Sequence, residues 1–267
     1  MLAKLLKYEV KATARFFLPL YVALIAFSLI NRLLNPFEAV ASPGSPNIDL
    51  NLQVIISIIS MMAYFALMVG TLVMTVIVMI QRFYKNLLGD EGYLMFTLPV
   101  KTWQHITSKL LVAMLWAVLS FLITAVSILI TANVQHLGDK LRELVDLVRT
   151  YLGPAGPFII PAYIFLIIAF YTVMVYAAIA LGHLFDRHRL AASFGMFCVL
   201  YFVYQIISAA FIFLLSTTIP DFFTASRMPT PHELNTLLAG PAIISIVLTA
   251  VNFTLTNIIL QTRLNLE

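Results

Sequence analysis

The densest group of chemically active side chains in this sequence is an acidic pair followed by an aromatic cluster, within a polar segment from Gln81 to Lys109. Two neighbouring carboxylates can serve acid–base chemistry, or they can begin a helix. Asp90 is suited to an N-cap, and Glu91 would then lie in the first turn, where the helix dipole favours negative charge. The pattern predicts a short helix with an apolar outer face, formed by Gly89, Asp90, Glu91, Gly92, Tyr93, Leu94, Met95 and Phe96.

Catalytic motifs are absent from the rest of the sequence. No Gly-Lys pair occurs, so the chain has no P-loop with which to bind ATP, and His232-Glu233 lacks the second histidine of a zinc-protease signature. His183, Asp186 and His188 have the chemistry of metal ligands, but no further ligand is close in sequence, which favours a short polar turn. We therefore predict no catalytic residues, no metal site and no enzymatic activity in this chain.

Composition sets the class of protein. Hydrophobic residues make up 61% of the 267 residues and charged residues only 10%, whereas charged residues make up about a quarter of a soluble domain. The net charge of +4 does not indicate nucleic-acid binding, because the cations stand singly beside apolar runs rather than in a basic block. The sequence predicts an all-α integral membrane protein with a single domain over residues 1–267.

Six apolar segments are long enough to cross a bilayer core of about 30 Å. They are Phe16 to Leu34, Leu52 to Ile80, Leu110 to Ala132, Phe158 to Gly182, Leu190 to Leu215 and Leu237 to Leu260. If the N-terminus is cytoplasmic, eleven Lys and Arg residues lie inside and five lie outside. The positive-inside rule then places both termini and the 81–109 segment in the cytoplasm.

Three further segments flank the spans. Residues 1–15 alternate leucines with Lys4, Lys7 and Lys11 at helical spacing, which predicts an amphipathic helix at the membrane interface; a signal peptide is the alternative. Residues 133–157 carry a second amphipathic stripe on the outer side, as a gate or as a passive interfacial helix. Residues 216–236 contain three prolines and cannot form one continuous helix.

Within the spans, the polar side chains are hydroxyls, amides and phenols. No acidic residue falls near the middle of a predicted span, which counts against ion-coupled transport. Most of the polar groups are expected to bond between helices, and a minority to line a path for an amphipathic substrate. We select Gln205, Asn252, Tyr201 and Tyr204 for that path. The pairs Ala178 with Gly182 and Ala191 with Gly195 predict close packing of the fourth and fifth spans.

An amphipathic N-terminal helix, six spans and a first cytoplasmic loop with Asp-Glu-Gly-Tyr-Leu at 90–94 and Leu-Pro-Val at 98–100 resemble the permease subunit of type-2 ATP-binding-cassette (ABC) exporters. The resemblance covers the whole chain in topology, but only about twenty residues carry motif content. It implies that the predicted short helix is a coupling helix, in which Tyr93 to Phe96 contact a separate cytosolic ABC ATPase. It also implies a second permease subunit, ATP and magnesium bound by the partner, and a bacterial inner-membrane location.

Two other classes of protein fit the same residues. A non-transporting membrane scaffold, assembly factor or immunity protein would use the cytoplasmic helix to bind a different partner. A channel or ion-coupled carrier would transport without an ATPase, although the spans lack the intramembrane charge that such proteins generally need.

Overall fold

Helices form all the regular structure in the computed structural model, which describes residues 2–34, 52–88, 100–132, 137–185, 187–218 and 230–262. In chain order the helices are α1 (Leu2–Leu34), α2 (Leu52–Phe83), α3 (Thr102–Thr131), α4 (Leu137–Leu152), α5 (Gly156–Gly182), α6 (Arg189–Thr218) and α7 (Pro231–Thr262). A π-helical turn, Tyr84–Leu88, follows α2 directly. The predicted all-α class is confirmed for these ranges.

All these helices except α4 are long and apolar enough to cross a membrane, so the chain is a multi-pass membrane protein. Several helices extend beyond the predicted spans: α3 begins at Thr102 and α7 at Pro231. The 33 residues of α1 are about 50 Å long at 1.5 Å per residue, against a hydrocarbon core of about 30 Å. Such a helix has room to span and to project beyond the bilayer.

The N-terminal amphipathic segment is continuous with the first span, because α1 has no break between residues 15 and 16. Lys4, Lys7 and Lys11 are exposed, as their spacing predicts. Glu9 and Thr13 are buried on the opposite side, in a stripe that continues through the span as Phe17, Tyr21, Leu24, Ser28 and Asn31. The interfacial location of residues 1–15 stays a prediction.

The chain divides into two compact units, one within residues 1–79 and 111–137 and the other within 80–110 and 138–267. In the first unit, Phe17 of α1 stacks on Trp116 of α3 with ring centroids 4.4 Å apart. Tyr21, Val78 and Val112 complete the buried core around this pair. This unit therefore has an apolar core shared by α1, α2 and α3.

Polar side chains also join the three helices of the first unit. The indole Nε1 of Trp116 donates to Thr13 Oγ1 at 2.7 Å. Ser120 Oγ lies 2.7 Å from both Tyr21 Oη and Thr75 Oγ1, and the latter residue lies on α2. Hydrogen bonds of this kind hold membrane helices together where the apolar surroundings give no hydrophobic driving force.

In the second unit, α5 packs against both α6 and α7, and its C-terminal half is almost fully buried. Gly182 approaches α6 so closely that a Cβ added there would lie 2.5 Å from the Cα and N of Ser193. The predicted close packing of the fourth and fifth spans thus occurs at Gly182. Its neighbour is Ser193, however, while a Cβ on Gly195 would meet no atom within 4 Å.

The two segments predicted to lie on the outer side are described in part. As predicted, residues 137–152 form a helix, α4, and none of its residues is buried. Leu141 and Leu144 on its apolar stripe are exposed, which suits a helix at an interface.

The α7 helix begins with Pro231 in its first turn, and Thr230 and Glu233 form a reciprocal capping box at 2.8 and 3.4 Å. Residues 219–229 lie outside the described ranges.

Candidate functional site

The predicted coupling residues, Gly89 to Phe96, lie outside the described residues, so their helical structure stays a prediction. The chain on either side of them is described. Leu87 in the π-turn and Ile106 in the first turns of α3 are both fully buried in one cluster. That cluster also contains Phe83, Tyr176 and Leu260. Both flanks of the coupling segment are therefore anchored to α5 and α7 within the second unit.

This anchor contains a stacked aromatic pair. The rings of Phe83 and Tyr176 stack with centroids 4.0 Å apart and planes 8° from parallel. Phe83 is the last residue of α2 before the π-turn. A π-turn widens the helix by one residue, and such turns occur frequently at functional sites. Phe83 and Leu87, four residues apart and therefore on one side of the helix, both reach the cluster.

His183 lies at the end of α5 beside the same anchor. Its ring contacts Tyr84 edge-on at 5.2 Å, and its Nδ1–H donates to the Ile179 carbonyl oxygen at 3.1 Å. Burial lowers the pKa of the imidazole below its ordinary 6.5; the Ile179 hydrogen bond opposes this shift and the positive charge of Arg189 adds to it. The neutral form is therefore favoured, and protonation of His183 costs stability as the pH falls through 6.5.

The metal-ligand chemistry of this turn, predicted for His183, Asp186 and His188, is described only in part. In the part of the chain that the structure describes, no three His, Cys, Asp or Glu residues lie together as ligands would. Asp186, the middle residue of the predicted trio, lies outside the described ranges. His188, the residue before α6, has a positive φ of 57°, a conformation that suits the tight connection between α5 and α6.

Three of the four predicted path residues lie together on α6. Gln205 Nε2 donates to the hydroxyl oxygen of Tyr201 at 2.6 Å, one helical turn away. Tyr204 packs on Phe170 of α5 with ring centroids 4.8 Å apart. Phe170 also contacts Tyr171 edge-on at 5.2 Å. The structure thus joins the α6 residues to aromatic side chains of α5.

We call this surface the tyrosine face and define it by Tyr163 and Tyr171 of α5 with Tyr201, Tyr204 and Gln205 of α6. Phe170 contacts both Tyr171 and Tyr204, and Gln205 holds the Tyr201 hydroxyl, while Tyr163 lies on α5 two turns before Tyr171. Tyr171 is 36% exposed and Tyr201 38% exposed, so the rings are accessible. Apart from Gln205 and Tyr201, no member hydrogen-bonds to another described residue.

The fourth predicted residue, Asn252, lies elsewhere. It is buried on α7, on the stripe that also carries Ser245 and Thr256. Its backbone carbonyl oxygen accepts a hydrogen bond from the Thr256 hydroxyl at 2.7 Å. Among the described residues no hydrogen bond joins Asn252 to the tyrosine face. This position indicates a packing residue of the second unit rather than a member of the same surface.

Sequence reasoning missed Tyr163 and Phe170 and gave Tyr171 no special role. A helical signal existed, since Tyr163, Phe170 and Tyr171 recur at intervals of seven and eight residues, which places them on one face. The whole of α5 is apolar, however, so this face does not stand out by hydropathy. Only the contact with Tyr204 distinguishes it.

No family model, no curated protein and no solved structure matches this chain. Its class therefore follows from its own helices: it is a multi-pass membrane protein.

The tyrosine face lies at the depth where polar groups are costly. Tyr201, Tyr204 and Gln205 are near the middle of the 30-residue helix α6, and Tyr171 is near the middle of α5. An exposed amide or phenol in hydrocarbon loses its hydrogen bonds to water without replacement. Such groups usually face the interior of a membrane protein or a polar cavity rather than lipid. Chemically, the face offers aromatic surfaces, hydroxyls and one amide, with no ionised group.

Proposed function

We propose that this chain is the membrane-spanning subunit of an ABC-type exporter, which moves an amphipathic substrate and is driven by a separate cytosolic ATPase. The observation that carries the proposal is the exposed tyrosine face in the middle of two spans. A surface of aromatic rings and uncharged polar groups suits a peptide, lipid or drug that has both apolar and polar parts.

The anchored flanks of the 81–109 segment support a mechanism in which another protein supplies the energy for transport. The chain has no P-loop, so energy from ATP must come through contact with another protein. An apolar knob from Tyr93 to Phe96 would fit a groove on that partner, and its position between two buried flanks, Leu87 and Ile106, would carry movement into α5 and α7. ATP and magnesium belong to the partner in this proposal, and a second permease subunit completes the path.

Co-purification tests the exporter against a scaffold or immunity protein. The chain is extracted in mild detergent with its native neighbours, and bound proteins are identified by mass spectrometry. An ATPase with a P-loop and an ABC signature is the expected partner. Recovery of the chain without any such ATPase, or substrate flux that persists without one, contradicts the proposal and favours a scaffold or a channel respectively.

The coupling segment provides a sharper test. We expect Glu91→Gln combined with Phe96→Ala to abolish substrate-dependent ATP hydrolysis and transport while membrane insertion stays normal. Loss of one buried aromatic side chain removes about 2 kcal/mol of contact energy, which lowers ATPase affinity about 30-fold. Hydrolysis, transport and ATPase binding are measured together in proteoliposomes.

The matched control is Glu143→Gln combined with Leu144→Ala, which changes an exposed acid and an exposed leucine on α4. This pair lies on the predicted outer side and should leave coupling unchanged. Full transport by the Glu91 and Phe96 double variant would contradict the coupling-helix assignment.

A further inference from the structure

The tyrosine face combines two properties that are unusual for a surface inside a membrane. Tyr171, Tyr201 and Gln205 are exposed and Tyr163 and Tyr204 are partly exposed. The hydroxyls of Tyr163, Tyr171 and Tyr204 make no hydrogen bond with the described residues. Because an unsatisfied hydroxyl in hydrocarbon is costly, something other than lipid tails is expected to cover them.

The charge at this face restricts what the ligand can be. No Asp, Glu, Lys, Arg or His occurs in Gly156–Gly182 or in Leu190–Thr218, so no ionised side chain of α5 or α6 can pair with a ligand there. The π-faces of tyrosine and the phenol and amide oxygens all carry partial negative charge. A cation can therefore contact the ring faces directly, whereas an anion is repelled by them and could bind only through the O–H and N–H groups.

The ring geometry supports the same conclusion. Tyr204 and Tyr171 both contact Phe170, at 4.8 and 5.2 Å, and this fixes two tyrosine rings of different helices about one buried ring. On the other side, Tyr201 stacks against Phe197 at 6.3 Å, and the Gln205 hydrogen bond holds its hydroxyl. A cation within about 6 Å of a ring centroid is attracted by the quadrupole of that ring, and the attraction is stronger where water is excluded.

We propose that the tyrosine face is the recognition site for a lipophilic monocation, meaning an organic cation whose single charge is shielded by apolar groups. This proposal rests on the proposed function in naming its substrate class. A compact, strongly hydrated cation would lose too much hydration energy at this depth, and the face has no carboxylate to replace it. A bulky organic cation is weakly hydrated, and the aromatic rings can contact both its charge and its apolar surface.

Two probes of equal shape and opposite charge test the proposal: tetraphenylphosphonium and tetraphenylborate. Binding of each to the purified chain in lipid nanodiscs is measured by equilibrium dialysis, with empty nanodiscs subtracted. We expect saturable binding of the phosphonium and none of the borate. Equal saturable binding of the two ions, or binding of neither, would overturn the proposal.

Matched variants assign the binding to the rings. Tyr204→Leu and Tyr171→Leu each remove one aromatic face and should raise the Kd for tetraphenylphosphonium about tenfold, whereas Tyr204→Phe keeps the ring and should change it less than about threefold. Phe202→Leu removes an aromatic ring that is 65% exposed on α6 but outside the tyrosine face, and should leave the Kd unchanged. Wild-type affinity in both leucine variants, with unchanged thermal unfolding, would show that the rings do not bind the cation.

The same variants also test whether a second copy of this chain, rather than a cation, covers the tyrosine face. In that case the leucine variants would shift the oligomeric state in nanodiscs, the chain would show no preference between the two probes, and the cation proposal would be wrong.

The binding assay contains no ATPase. Failure to find an ATPase partner would therefore contradict the exporter but not cation binding, and loss of the cation preference would leave the exporter to be judged by its own test.

Discussion

At the residue scale, Ser120 is the clearest case of a polar side chain whose hydrogen bonds can be followed completely. Thr75 Oγ1 donates its only proton to the Thr71 carbonyl oxygen at 2.8 Å. The proton between Thr75 and Ser120 must then come from Ser120, and the proton between Ser120 and Tyr21 must come from Tyr21. A directed chain from α1 through α3 to α2 results, and all three side chains are buried.

Ser120→Ala breaks this chain in the middle. It removes the short hydrogen bond that Tyr21 donates, leaving the Trp116 carbonyl oxygen at 3.5 Å as the remaining acceptor, and it leaves Thr75 without its donor. We expect the free energy of unfolding to fall by about 1–2 kcal/mol. Unfolding is measured by steric trapping or detergent titration in bicelles. Ser216→Ala is the control, since that exposed hydroxyl bonds only to the Phe213 carbonyl of its own helix.

A double-mutant cycle sharpens this prediction. If Tyr21 and Ser120 act through one hydrogen bond, Tyr21→Phe should add little to Ser120→Ala. Additive effects of the two substitutions, or wild-type stability of Ser120→Ala, would mean that the hydrogen bond contributes no stability in the bilayer.

At the element scale, the α5–α6 pair depends on a close approach that a single methyl group would prevent. We expect Gly182→Ala to destabilise the second unit by about 1–3 kcal/mol, because the new Cβ overlaps Ser193 backbone atoms and the helices must separate. Gly195→Ala on α6 is the matched control. A Cβ there meets nothing, and alanine favours the helix by about 1 kcal/mol, so this variant should be neutral or more stable.

These two stability changes are measured by thermal unfolding of the glycine variants in detergent. A tolerated Gly182→Ala would mean that α5 and α6 can move apart at no cost. The tyrosine face depends on the same helix pair, so a destabilised Gly182→Ala should also weaken tetraphenylphosphonium binding, while Gly195→Ala should not.

At the scale of the whole molecule, the distribution of Lys and Arg predicts that both termini and the 81–109 segment share the cytoplasmic side. The sequence has a single cysteine, Cys198, so Cys198→Ser gives a background for labelling. We expect Thr150→Cys on α4 to react with a membrane-impermeant maleimide in intact cells, and Lys4→Cys on α1 to react only after lysis. Both positions are exposed. Labelling in the opposite pattern would show that the topology is inverted, and it would rule out a cytoplasmic coupling helix.

The sequence by itself determined the membrane class, the all-helical fold and the positions of the six spans. It could do so because a backbone in hydrocarbon must satisfy its own hydrogen bonds, which makes any long apolar run a helix. The same reasoning identified α4, whose amphipathic stripe contrasts with its charged residues. Helix ends were less well determined, as Thr102 and Pro231 show, because polar ends of a helix carry no hydropathy signal.

Only the tertiary structure decided which face of each span contacts protein. It separated Asn252 from Gln205, joined Tyr171 to Tyr204 through Phe170, and matched Gly182 with Ser193 rather than with Gly195. The physical reason is that lipid tails are as apolar as leucine, so lipid-facing and protein-facing residues have similar hydropathy in spans such as α5 and α6. The partners of a polar side chain there depend on helix packing, and helix packing depends on the shapes of side chains that are distant in sequence.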